Sequence, residues 1–263
     1  MDYSALTQVE AVALAGSQST GTAGPDSDLD LYVYATAEIP ISERRRIATA
    51  CASSVEVDNR FWEPGDEWVD RETQIHIDVM FRSLAWMEDQ MARVLQRHEA
   101  SVGYSTCFWH NVLSSIILFD RQGRFSALKQ RAQQPYPAPL QQAIIAKNYP
   151  LLRRNQSAYL HQIERAVVRE DLISINHRIA AFLASYFDIL FALNRMPHPG
   201  EKRLLQTATE RCASLPAQMV EQVRMILVTP AGPELSVHIN KLIDNLDDLL
   251  LAHDLFPGRN LAI

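Results

Sequence analysis

Three aspartates and one glycine-serine turn carry the chemistry that can be read from this chain. Gly16-Ser17 is followed by ten residues, QSTGTAGPDS, and then by Asp28-Leu29-Asp30. Glycine lets a backbone approach a ligand closely, and serine adds a hydroxyl. The N–H groups of such a turn form an anion site suited to phosphates, above all where the turn leads into a helix. Asp28 and Asp30 stand two residues apart in an alternating run, so strand geometry sets both carboxylates on one face. A hard cation such as Mg2+ takes one or two carboxylates and completes its octahedron with phosphate oxygens and water. Asp78, in a second alternating run, offers a third carboxylate. Three carboxylates around two Mg2+ ions suit an in-line displacement at phosphorus, and one of them could accept the proton of the incoming hydroxyl.

The elements that must hold these residues are legible in the same stretch. Val12 to Leu14 reads as a short strand entering the turn. In DLDLYVYA (28–35), Leu29, Leu31 and Val33 share one face, with Asp28, Asp30, Tyr32 and Tyr34 on the other. QIHIDVMF (74–81) sets Ile75, Ile77 and Val79 opposite His76 and Asp78. A helix capped by Ser42 is expected to run to about Ala52, a second helix over 84–98, and a further strand at SIILF (115–119). PYPAP, with prolines at 135, 137 and 139, ends this pattern. Beyond it the periodicity is helical, with helices expected at 139–147, 150–168, 172–195, 201–213, 216–227 and 233–253. The fold expected is therefore an α/β head, a mixed sheet flanked by helices, over residues 1–134, followed by an all-helical bundle over 135–263.

Bulk properties narrow the partners. The net charge of −6 provides no basic field for a nucleic acid template. Cys51, Cys107 and Cys212 have no metal or disulfide spacing, and the N-terminus lacks the pattern of a secretion signal. No apolar run reaches the length of a membrane span, and a cytoplasmic location is expected. The aspartates at 26, 28 and 30 do not make a calcium-binding EF-hand loop, because Leu31 and Ala37 stand where glycine and glutamate are needed. Lys202, one of four lysines, follows a glycine in HPGEKRLL near an expected helix start, where a phosphate or a solvated helix residue are equally good readings. His76 reads as a scaffold histidine. Trp62, Trp68, Trp86 and Trp109 read as packing residues more readily than as stacking platforms.

AGSQSTGTAGPDSDLDLYVY, followed some fifty residues later by IHIDVMF, resembles the nucleotidyltransferase superfamily related to DNA polymerase beta. DLISINHRIAAFLASYFDILFALNRMPHPGEKRLL (171–205) is similar to the helical domain of bacterial antibiotic-type nucleotidyltransferases and their uncharacterised relatives, the aminoglycoside and lincosamide branch. The resemblance implies that Gly16 and Ser17 bind the triphosphate; Lys202, from its own place after a glycine near a helix start, is the further candidate nucleotide contact. It implies that Asp28 and Asp30 bind Mg2+, and that Asp78 completes the metal site and stands first among candidate bases. Glu164 and Asp171 are rivals for the base, since some relatives supply it from a different carboxylate. The implied reaction moves NMP, with ATP the expected NTP, onto a hydroxyl of a small-molecule acceptor and releases pyrophosphate. Relatives often pair as homodimers. Modification of a partner protein, as in antitoxin-type relatives, and a silent NTP-binding scaffold are the competing readings.

Overall fold

The computed structural model describes residues 3–21, 24, 27–61 and 64–257, so Asp26 and Trp62 lie outside the described residues. The chain divides into two compact units: residues 1–92 with 108–134, and residues 93–107 with 135–263.

The first unit is built on strands β1 (Val9–Leu14), β2 (Leu29–Ala35), β3 (Ala52–Asn59), β4 (Gly65–Asp70), β5 (His76–Arg82) and β6 (Ile116–Asp120). They form one mixed sheet in the order β3-β4-β5-β2-β1-β6. Only β2 and β5 pair in parallel. Helices α1 (Gly16–Thr20), α2 (Ile41–Cys51), α3 (Leu84–Leu95), α4 (Cys107–Ser114) and α5 (Arg124–Ala132) accompany it. The alternation of β2 and β5 does what the sequence promised. Leu31, Val33, Ile77 and Val79 join Val12, Trp68, Ile39 and the Ile47-Ala48 face of α2 in one apolar core. On the opposite face Tyr34 meets Phe125 of α5 at 5.0 Å between ring centroids. The indole of Trp109 donates to the Ala132 carbonyl at 2.9 Å.

One expectation needs correction, and two features carried none. Ser42 does not cap α2, which starts at Ile41 with Pro40 at the cap position and no side-chain cap bond. Proline there sets the entry dihedral without needing a donor, so no hydroxyl is required. The hairpin β3–β4 was not anticipated, because its outward positions are polar on both strands and Val55 and Val57 are only partly buried. The segments of α4 and α5 were likewise unassigned.

Across the core side of this hairpin runs a buried ion pair. Arg44 of α2 donates from Nε to Asp66 Oδ2 at 3.0 Å and from Nη2 to the Gly65 carbonyl at 3.1 Å, and its Nη2 also bonds Asp66 Oδ1. The Asp58 amide donates to Asp66 Oδ1 at 2.9 Å. Both side chains are nearly sealed from solvent. Phe81 lies under the guanidinium at 4.4 Å.

The second unit is helical: α6 (Ala138–Arg153), α7 (Tyr159–Val168), α8 (Leu172–Leu193), α9 (Leu204–Arg211), α10 (Met219–Val228) and α11 (Pro233–Ala252). Among the described residues no strand occurs beyond Asp120, and no helix is long and apolar enough to cross a membrane. The helix break expected at 148–149 falls instead at 154–158. Pro150 sits in the last turn of α6, and its carbonyl accepts from the amides of Arg154 and Asn155 at 3.1 and 3.0 Å. Asn194 ends α8 and clamps Ser214, its amide bonding the Ser214 carbonyl at 2.9 Å and its Oδ1 accepting the Ser214 amide at 2.8 Å.

Inside this unit lies a carboxylate with no signal in the apolar stretch that contains it. Asp188 of α8 accepts from Ser105 N at 3.0 Å, Ser105 Oγ at 2.7 Å and Asn148 Nδ2 at 3.1 Å. Asn148 also accepts the Gly103 amide at 2.9 Å, so α6 and α8 together hold the loop 101–106. Burial pushes the Asp188 carboxyl up to about 6, against the pull of those hydrogen bonds and of Arg93.

Two stability predictions follow from these buried charges. Arg44→Leu strands Asp66 without a counterion and should cost about 3–5 kcal/mol in urea unfolding, while Arg44→Met combined with Asp66→Leu should recover most of that loss. An Arg44→Leu protein with an unchanged urea midpoint would show that the pair contributes nothing. For Asp188, the native chain holds the proton more tightly than the unfolded chain does. Its contribution to stability is therefore full below the usual carboxylate value of 3.8 and falls as pH rises toward about 6. That fall, on the order of 3 kcal/mol, should vanish in Asp188→Asn when urea midpoints are compared at pH 4 and pH 7.

Candidate active site

The turn after β1 is shaped around Asp30. The Ala15 amide donates to the Asp30 carbonyl at 2.8 Å, tying the end of β1 to β2. Gly16 then adopts φ +64°. A Cβ at this position would lie 1.7 Å from Asp30 Oδ2 and 2.6 Å from its Cγ. The carboxylate thus occupies the room a side chain would need, and glycine is required both for backbone conformation and for space. Helix α1 continues for one turn and ends at Gly21, which is left-handed and donates to the Ser17 carbonyl. Ser19 Oγ donates to the Gly16 carbonyl at 2.9 Å, and Gln18 Nε2 reaches the Ser27 carbonyl at 3.3 Å. The Gly24 amide donates to Ser27 Oγ at 2.8 Å, folding the return of the loop back on itself before β2.

Parallel pairing of β2 with β5 makes Asp30 and Asp78 direct Cα partners. Neighbours in register project to the same face of a sheet, with Cβ atoms about 5 Å apart. Asp28, exposed and just ahead of β2, continues the alternation toward solvent. The row extends further than the sequence indicated. Asp78 is also the partner of Glu67 on β4, and Glu67 is the partner of Glu56 on β3. Four acidic residues therefore stand in one line across four strands, although like charges directly opposite each other destabilise a sheet. Asn59 Nδ2 donates to Glu67 Oε1 at 2.8 Å, and His76 Nε2 lies 3.9 Å from Glu67 Oε2. Along the strands in the other direction the same face closes. Asn111 Nδ2 donates to the Tyr32 hydroxyl at 3.3 Å, and the Arg82 guanidinium lies over the Tyr32, Trp86 and Phe108 rings at 4.5–5.1 Å.

Among the described residues no group of three or more His, Cys, Asp or Glu is gathered tightly enough to hold an ion by itself. An aligned pair, Asp30 and Asp78, with Asp28 two residues ahead, nevertheless fits Mg2+. That ion takes only one or two carboxylates and draws its other ligands from phosphate and water. The donor set is all oxygen, as a hard cation requires.

The other sequence candidates lie in the second unit. Lys202 is exposed in the turn before α9. Asp171 is the N-cap of α8 and accepts from Ser174 N at 3.0 Å and Ser174 Oγ at 2.6 Å. Those bonds hold its carboxyl below the usual range, which makes it a poor proton acceptor. Glu164 faces His161 Nδ1 at 3.3 Å on the exposed side of α7. Trp68 and Trp109 are buried packing residues, and Trp86 packs edge-on against Phe108.

Residues 3–97 match the family described as Nucleotidyltransferase domain. Residues 106–204 match a domain of unknown function, DUF4037. Among solved structures, a nucleotidyltransferase-like protein from Exiguobacterium sibiricum is similar at 12% identity and a TM-score of 0.45, over 98% of this chain and 73% of that one. No curated protein matches. The turn, the aspartate pair and the acidic row all fall within the first match, and the enzyme class this match supports for the chain is nucleotidyltransferase.

Proposed function

We propose that this chain transfers NMP from an NTP, ATP first, to a hydroxyl of a small-molecule acceptor, with release of pyrophosphate. The observation that carries the reading is the register of Asp30 with Asp78 beside a glycine turn fitted to the Asp30 carboxylate, inside a nucleotidyltransferase domain. Asp28, Asp30 and Asp78 would hold Mg2+, two ions being the expectation. Bound there, the cation supplies neutralisation of the triphosphate charge and polarises the phosphorus–oxygen bonds.

The chain's own groups supply the rest. The amide N–H groups of the Gly16–Ser17 turn and the Ser17 hydroxyl bind phosphate oxygens, and Lys202 is proposed as a further phosphate-binding cation. The closed end of the face, Tyr32 with Arg82 and Asn111, forms a rigid wall that limits where substrate can sit. The acceptor hydroxyl must lie in line with the breaking bond, on the side away from the departing pyrophosphate.

Two experiments test this reading. Asp30→Asn and Asp78→Asn should each lower pyrophosphate release from ATP, screened against a panel of hydroxyl acceptors, by about 100-fold or more. Calorimetry should show Mg2+-dependent ATP binding weakened in both, and unchanged binding in both would refute the site. Gly16→Ala should displace the Asp30 carboxylate and weaken Mg2+-ATP binding about tenfold or more, while unfolding stability falls by only about 1–2 kcal/mol. Wild-type affinity in Gly16→Ala would show that the turn does not shape the site.

A further inference from the structure

Resting on the transfer reaction just described, we propose that Glu67 is the catalytic residue that takes the proton from the acceptor hydroxyl. The sheet order carries this assignment. The phosphate turn follows β1, and from it the strands run β2, β5, β4, carrying Asp30, Asp78 and Glu67 in one register row. A triphosphate on the turn places its leaving pyrophosphate at the β1 side of the row. In-line attack then brings the acceptor in from the β5–β4 side. The first carboxylate on that side beyond the aligned pair is Glu67.

Its surroundings suit the task. Asp78, the direct Cα partner of Asp30, is one of the proposed cation ligands, and a carboxylate engaged as a ligand is a weakened proton acceptor. Glu67 has one oxygen, Oε1, fixed by Asn59 at 2.8 Å, and its Oε2 faces His76 at 3.9 Å, a separation one water can bridge. Glu67 also stands directly opposite Asp78, where a neutral residue would make a more stable sheet. Local rules broken at a cost are expected at functional positions.

The step balances as follows. The acceptor O–H bond breaks as its oxygen bonds the α-phosphorus, and the proton goes to Glu67 Oε2. The bond between the α-phosphorus and the bridging oxygen breaks, and its electron pair leaves with pyrophosphate.

The test uses the full chain with Mg2+-ATP and water as the acceptor probe, reading pyrophosphate release beside calorimetric Mg2+-ATP binding. Glu67→Gln should lower turnover by ~10²–10⁴-fold with affinity within about twofold of wild type. Turnover in Glu67→Gln above about a tenth of wild type would overturn the assignment. So would a loss of Mg2+-ATP affinity in Glu67→Gln matching that of Asp78→Asn, which would make Glu67 a ligand. A wild-type chain that binds Mg2+-ATP but releases no pyrophosphate, to water or to any hydroxyl in the panel, would sink the transfer reading itself. Full turnover lost only in Asp30→Asn and Asp78→Asn sinks the role of Glu67 alone.

Discussion

The parallel pairing of β2 with β5 is the constraint on which the site depends. Antiparallel neighbours can be joined by a short turn, but parallel strands need a crossover, and here α2 and the β3–β4 hairpin supply it. The crossover has to deliver β5 in one register, since a slip of one residue would turn Asp78 into the apolar core and Ile77 toward solvent. The buried pair of Arg44 and Asp66 fixes it. Arg44 holds α2 to β4 through Asp66 and the Gly65 carbonyl, and β4 is the antiparallel neighbour of β5. Because successive strand residues alternate, the same strand that buries Asp66 on the core side presents Glu67 on the acidic side. One residue anchors the scaffold, and the next belongs to the row.

What was legible in the sequence follows from how local each signal is. The turn, β2 and β5 could be read because their patterns lie within a few residues and one face of each strand is apolar. That Asp30 and Asp78 share a face follows from alternation, whereas their direct partnership is a matter of register between strands fifty residues apart, which no single stretch encodes. Glu67 was invisible for the same reason. In GDEWVD nothing distinguishes it from Asp66, and only pairing shows which of the two is buried. Arg44 sits in a run of three arginines that reads as a solvated face, yet it is sealed while its neighbours Arg45 and Arg46 are exposed. Asp188 lies in a helix so apolar that its carboxylate passes for an interruption, until Ser105 and Asn148 are seen to approach from elsewhere in the chain.

The second unit shows how a buried polar group can organise loops. Asp188 and Asn148 hold residues 101–106, and the next link is Thr106, whose hydroxyl accepts the His198 amide at 2.7 Å. His198 is buried between Tyr104 and Phe191, at 4.9 and 5.0 Å between ring centroids, and its Nδ1 accepts the Gly200 amide at 3.1 Å. The segment carrying Lys202 is therefore not a free loop at its base. Such networks cost desolvation, and a fully apolar interior of equal volume would be as stable or more so. What the polar version adds is direction, because each hydrogen bond admits one loop position.

The same contrast between cost and direction governs the acidic row. Within one unit, Arg44 and Asp66 are opposite charges in a dry interior, each satisfied by the other and by backbone groups. A few ångströms away, Glu56, Glu67, Asp78 and Asp30 are like charges at a wet surface. Water screens their repulsion. In the proposed reaction a triphosphate brought to that face alone would add to the repulsion, so the row would favour nucleotide only together with a compensating cation. Coupling of that kind makes the two ligands mutually dependent, each raising the affinity of the other by the repulsion it relieves. The polar wall of Tyr32, Arg82 and Asn111 closes one end of the face, and the phosphate turn closes the β1 side. In the proposed reaction the acceptor enters from the β4 side, where Glu67 stands.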